Sequence, residues 1–402
     1  MKRTTLLKLA MLSLCVLLLS GCWSKRELNE IGIVTAIGID LQDDNQYKVT
    51  VQVINPSEVS SKEMTTRTAV STYTAVGNSI FETVRRLITK TPRQVYMAHV
   101  REIVFGEEMA RAGIGKALDF LSRDHEMRTD FHLTVAQGME AEDLLKVLTP
   151  LERIPAEKAF SSIKGGEKYW APVQSVKISD VLNAMLSEGD NPVLTGMQVV
   201  GSPEEGNQLD NVEQVASPTS IEVSRLAVFQ KEHLAGWLTE EQSKGYSYIV
   251  DKVHSSAEFV PCKDASQGGI TLEVFNADST LEAAIHTGKP KVSISIKIDA
   301  GIAEVECPLR LSETAVIHQV ENQFEKRITS MINGTVDVLQ QDLKSDILGF
   351  GELIHRKDKA YWKSIRKDWV DIFPEVETEV NVTVHIKRTG TIVDAYQKDM
   401  EE

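Results

Sequence analysis

Tyr47-Lys48-Val49-Thr50-Val51-Gln52-Val53 alternates apolar and polar side chains without a break. A period of two belongs to a β-strand, whose successive side chains leave opposite faces. Val292-Ser293-Ile294-Ser295-Ile296-Lys297-Ile298 repeats the pattern, as do Val380, Val382, Val384 and Ile386. Strands buried on both faces of a parallel sheet read instead as continuous apolar runs. The alternation therefore points to antiparallel or mixed sheets with one covered face. The expected fold is α+β and multidomain, with mixed or antiparallel sheets packed with helices and no βαβ array.

Outward from the first of these strands, the apolar run 31–40 and the polar stretch 40–46 complete a hairpin, closed by Asn55-Pro56. Ser79 and Glu82 have capping-box spacing. Ile80, Phe81, Val84, Leu87 and Ile88 then share one helical face. Strands are expected over 100–105 and 131–136. A helix begins at Gly106-Glu107-Glu108, acids at its positive end, and another spans 141–148. Residues 154–187 read as helical pieces broken at Gly165-Gly166 and Pro172. A long helix follows Ile317, Val320, Phe324, Ile328 and Met331, and Trp362 and Trp369 read as core. Residues 201–218 are rich in Gly, Pro, Asn and acids, so 201–220 is a linker or excursion. It separates an N-terminal domain, 22–200, from a C-terminal domain, 221–390, which is open to a further split. A polar tail occupies 391–402.

The chain has 402 residues, 44 of them Lys or Arg and 58 Asp or Glu, for a formal charge of −14. A hydrophobic fraction of 42% with 25% charged is that of a chain with packed cores, which excludes wholesale disorder. The acidic balance argues against nucleic acid as a partner, since that binding rests on cations that neutralise phosphates.

Residues 1–21 read as a signal peptide. Lys2, Arg3 and Lys8 precede an uncharged stretch over 9–19, too short to span a bilayer, which takes about 20 residues. Leu19-Ser20-Gly21-Cys22 is the pattern of a bacterial lipobox. Small Ser20 and Gly21 admit the backbone to a peptidase cleft, and the Cys22 thiol is the expected lipid attachment site. Two acyl chains, at roughly 0.8 kcal/mol per buried methylene, make a stable anchor. Cys262 and Cys307 are too few for a disulfide scaffold. They are two separate buried hydrophobes or a pair formed in an oxidising space, and the sequence leaves both open.

No catalytic, cofactor or metal motif emerges. Arg123-Asp124-His125-Glu126 is the densest polar cluster, but neighbours in sequence diverge around a helix, and it reads as a helix end or solvated turn. Gly349-Phe350-Gly351 lacks the lysine of a phosphate loop and reads as a helix break. Asp40, Asp43 and Asp44 lack the spacing of a calcium loop.

Cys22-Trp23 with Arg26-Glu27, Gly32-Ile33-Val34, Ile37-Gly38-Ile39-Asp40 and Gln52-Val53-Ile54-Asn55-Pro56 resemble the opening of the Ger(x)C spore germination lipoproteins. The resemblance continues in order through His99-Val100-Arg101, Ile103-Val104-Phe105-Gly106-Glu107-Glu108, Arg123-Asp124, Leu226-Ala227-Val228-Phe229, Leu234-Ala235-Gly236-Trp237-Leu238, Asp346-Ile347-Leu348-Gly349-Phe350-Gly351 and Trp362 to Trp369. Ser24 and Gln230 depart from it. The resemblance implies several α/β domains without catalysis, forming the C subunit of a nutrient germinant receptor. Such subunits are held by their lipid on the outer face of the spore's inner membrane, with a membrane-embedded A subunit and a permease-like B subunit. Landmarks not needed for packing, His99, Arg101 and Arg123, are candidate partner contacts, with internal salt links as the competing role. The alternative is a solute-binding lipoprotein of a transport or sensing system, which would need two βαβ lobes around a cleft. The nutrient, the receptor isoform and the stoichiometry are not legible.

Overall fold

The structure, a computed structural model, describes residues 30–60, 67–262 and 268–390 together with Thr5. The lipobox, Cys22 and the polar tail lie outside the described residues.

β1 (Ile31–Leu41) and β2 (Tyr47–Ile54) form the expected hairpin, with Leu41 opposite Tyr47. Asn55-Pro56 closes β2 as expected. β3 (Val70–Gly77) adds antiparallel to β2. Ser79 Oγ accepts from Glu82 N at 3.2 Å and starts α1 (Ile80–Arg86). The chain then returns to β4 (Gln94–Tyr96), which runs parallel to the first residues of β1. β5 (Glu102–Gly106) lies parallel to the body of β1. α2 (Glu107–Ala112) and α3 (Gly115–Arg123) lead to β6 (His132–Ala136), parallel to β5. α4 (Ala141–Lys146), α5 (Pro155–Tyr169) and α6 (Ile178–Leu186) lead to β7 (Val193–Val200), parallel to β6. β8 (Ser220–Gln230) and β9 (His233–Trp237) close the sheet antiparallel.

The mixed sheet thus contains helical crossovers between parallel strands, against the expectation of no βαβ units. Its central strands gave no alternation to read, because all five residues of β5 and of β6 are buried. β2 is covered on both sides too. Val49, Val51 and Val53 face the core under α1, α2, α3 and α6, while Thr50 and Gln52 are buried on the face covered by α4 and α5. Gln52 is satisfied there: its Nε2 donates to Leu145 O (3.0 Å), and its Oε1 accepts from Thr35 Oγ1 (3.2 Å) and Ala156 N (3.3 Å). α5 runs through Gly165-Gly166 unbroken, where a break was expected.

The stretch 201–220 holds two short helices, Pro203–Gly206 and Asp210–Glu213, and connects two paired strands, β7 and β8. The first sheet therefore takes strands from both sides of the expected linker. β8 is a shared wall: Ala227 and Phe229 enter the core of the first sheet, Leu226 and Val228 that of the second.

α7 (Glu240–Ile249) leads to the second sheet, ordered β10 (Ser256–Pro261), β11 (Gly269–His286), β12 (Lys289–Val305) and β13 (Glu377–Arg388). β11 is one continuous strand, bulged near Leu272 and Asn276. Here the alternation reads true. Val292, Ile294, Ile296 and Ile298 are buried against α8 (Thr314–Asp337), which contributes Phe324, Ile328 and Met331. α9 (Phe350–Lys357) and α10 (Lys359–Ile365) follow, and Trp362 and Trp369 are core, their rings 5.3 Å apart. Cys262 and Cys307 form a disulfide and are both buried, which settles the alternatives the sequence left open.

Candidate functional surface beside the start of the chain

α1 and α3 are amphipathic, and only the inner part of each apolar stripe reaches the sheet. Ile80, Val84 and Leu87 are buried, whereas Phe81 is 51% and Ile88 58% exposed. A stripe of five is wider than the arc a single sheet face covers. The surplus becomes the wall of an open groove of about 600 Å³ between α1 and α3. Its buried lining includes Ile80, Val84, Val95 and Met97. Phe81 and Phe120 stand above it with ring centroids 6.4 Å apart, and the Arg85 guanidinium lies 5.0 Å from the Phe81 ring.

Of the three candidate contact residues, Arg123 lines this groove, its Nε donating to Asp119 Oδ1 at 2.8 Å one helical turn away. His99 is exposed in the loop between β4 and β5, its ring 5.9 Å from that of Tyr96. Arg101 joins α5 by an internal salt link to Glu157 (2.9 Å) and lies over Phe160 (5.1 Å). The structure does not gather the three into one site. His99 and Arg101 sit in a loop, not in the strand expected from residue 100. Arg123 ends α3 and Asp124 accepts from Glu126 N, so the polar cluster 123–126 is the expected helix end.

The landmark residues Asp40 and Gly106 work together. Asp40 Oδ1 and Oδ2 accept from Ala141 N (2.7 Å) and Glu142 N (3.1 Å), capping α4. Burial still pushes the Asp40 carboxyl up to about 6. A Cβ on Gly106 would stand 2.0 Å from Asp40 Oδ1, so only glycine fits under the cap. Lys48 pairs with Glu140 and Glu142 beside it.

The buried pair Glu102–His132 escaped the sequence reading, because the two residues lie on different strands and neither carries a motif. Glu102 Oε1 is 3.4 Å from His132 Nδ1, and His132 stacks on Phe160 at 4.4 Å. Burial, with Glu157 adding to it, holds the Glu102 carboxyl well above its ordinary range. Burial pushes His132 down to about 4. Both shifts favour the uncharged forms, a carboxylic acid against a neutral imidazole. The fold favours protonated Glu102, so this stabilisation is present in acid and is lost as pH rises above the ordinary carboxylate range. Glu102→Gln does not titrate. Its stability relative to the parent should therefore climb between pH 4.5 and pH 8 in urea unfolding, and parallel pH curves would refute the assignment. Among the described residues no group of three or more His, Cys, Asp or Glu is placed to hold a metal ion.

Comparison with known proteins gives the arrangement its family. The profile described as the spore germination protein N-terminal domain fits residues 24–199, and that of the spore germination B3/GerAC-like C-terminal region fits residues 224–390. Spore germination protein KC of Bacillus subtilis (strain 168) is 32% identical over 400 residues, covering 97% of both chains. Spore germination protein B3 of the same strain is 24% identical, covering 96% of this chain and 98% of its own. The crystal structure of the GerBC protein shares the fold with a TM-score of 0.54 at 20% identity, over 87% of this chain and 96% of that one. With both profiles in sequence and a relative matched from end to end, this chain belongs to the Ger(x)C family of spore germination proteins.

Proposed function

We propose that this chain is the C subunit of a spore nutrient germinant receptor, a non-enzymatic lipoprotein acylated at Cys22. On this reading it sits on the outer face of the spore's inner membrane beside an A subunit and a permease-like B subunit. The observation that carries the reading is the match along 97% of both chains to a protein named for spore germination. Two features support it. The Cys262–Cys307 disulfide suits an oxidising space outside the cytoplasm. Among the described residues no helix is long and apolar enough to cross a membrane, so on this reading the anchor is the lipid at Cys22.

The acyl anchor raises the local concentration of the body beside its partners, so modest contacts suffice for assembly. Of the three candidates, His99 is exposed, Arg123 is exposed but paired with Asp119 within α3, and Arg101 is engaged with α5. Cys22→Ala should move the protein from the membrane to the soluble fraction and slow nutrient-triggered germination. Full membrane retention would refute the anchor, and unchanged germination the receptor role.

A further inference from the structure

We propose that the α1–α3 groove is a lipid seat. It takes an anionic phospholipid of the bilayer, with an acyl chain along the buried apolar lining and the headgroup phosphate at the Arg85 and Lys116 cations. The placement rests on the anchor reading; the chemistry rests on the groove.

Position comes first. Gln94 and Val95 line the groove, and the same residues pair with the start of the chain: Gln94 N donates to Glu30 O at 2.9 Å, and β4 runs beside Ile31 to Ile33. From Glu30 back to Cys22 the fully extended chain reaches at most ~29 Å. A lipid at Cys22 therefore holds this end of the sheet, and the groove with it, near the headgroups.

Charge comes second. Among the described residues neither Lys116 nor Arg85 makes an ion pair, and the Arg85 guanidinium lies over the Phe81 ring. Three carboxylates, Asp119, Asp124 and Glu126, line the same groove; Asp119 pairs with Arg123, and Asp124 accepts from Glu126 N. From residue 80 to 93 the chain carries Arg85, Arg86, Lys90 and Arg93 against Glu82 alone, in a protein of net charge −14. Phe81, Arg85 and Ile88 follow one another at helical spacing on the outer side of α1. Aromatic, aliphatic and arginine side chains on one face are what a surface needs at headgroup depth. The cations also favour an anionic headgroup over a zwitterionic one.

The test uses the chain from residue 22 carrying Cys22→Ala, which keeps every described strand and helix and has no acyl group. Binding is read by co-sedimentation with vesicles of phosphatidylglycerol and of phosphatidylcholine. Binding to phosphatidylglycerol should exceed binding to phosphatidylcholine, weaken as salt screens the cations, and fall about tenfold or more in Arg85→Glu/Lys116→Glu. Lys289→Glu/Lys326→Glu makes the same charge change on the second sheet and its helix, and should bind as the parent does. Absence of vesicle binding overturns the proposal, as do equal losses in the two double variants. Self-association of the chain through the groove, abolished by Ile88→Asp, also overturns it and makes the occupant a second copy. Because the protein carries no acyl group, none of these outcomes depends on whether Cys22 anchors the parent.

Discussion

Asp346→Ala should cost about 4 kcal/mol or more of unfolding free energy, the largest effect expected of a single side chain here. Asp346 is buried, and its carboxylate gathers four donors: Leu348 N and Phe350 N at 3.1 Å on Oδ1, and Gly351 N at 2.8 Å and Trp369 Nε1 at 3.1 Å on Oδ2. Truncation leaves all four buried without an acceptor, at roughly 1–3 kcal/mol each. The damage would spread. The indole bond fixes Trp369 between Trp362 (5.3 Å) and Phe373 (6.0 Å). The N–H cradle also sets Gly351 against Gly189, so closely that a Cβ on Gly351 would lie 2.4 Å from the Gly189 Cα. Ser187 Oγ and Gly189 O bond Glu352 at the same junction, and Arg366 pairs with Glu188. Asp346 thus organises the contact through which α9 and the tryptophans meet the loop before β7. Burial outweighs the four donors and pushes its carboxyl up to about 6. Asp346→Asn keeps one acceptor oxygen and should lose about half as much. Urea unfolding followed by tryptophan fluorescence measures both, and an alanine variant within 1 kcal/mol of the parent would sink this account.

The sequence showed the elements better than their burial, for a physical reason. Alternation reports polarity, and polarity tracks exposure only where nothing satisfies the polar side. In β12 the polar residues Ser293, Ser295 and Lys297 are exposed or half-buried, and the reading holds. In β2 the polar side lies under α4 and α5, and Gln52 is legitimate in the core because three hydrogen-bond partners meet it. No property of Gln52 itself announces those partners. The same limit hides Glu102–His132 and makes Asp346 look like part of a helix break, when it is the residue that orders the break. Conversely, the stripe of α1 looked like uniform core, and its surplus, Phe81 and Ile88, became the groove wall. Family landmarks recovered what periodicity could not: Asp40 and Gly106 lie far apart along the chain yet are in contact, and Asp346 and Gly351 form a local cradle that no periodicity marks.

Replacing both cysteines, Cys262→Ala/Cys307→Ala, should lower stability by about 2–4 kcal/mol. The bridge joins positions 45 apart, one just past β10 and one just past β12, and a cross-link of that span removes on the order of 4 kcal/mol of loop-closure entropy from the unfolded chain. Native contacts already hold the two ends together, Cys262 N donating to Gly268 O and Glu306 N to Gly269 O, so the bridge acts chiefly on the unfolded ensemble. That separates it from a packing effect. A reductant should shift the urea midpoint of the parent towards that of the double variant and leave the variant where it is. If reduction does not move the parent, the bond contributes nothing and the argument from it fails. A domain that relies on this cross-link reaches its full stability only where thiols oxidise, which is also what the proposed extracytoplasmic location requires.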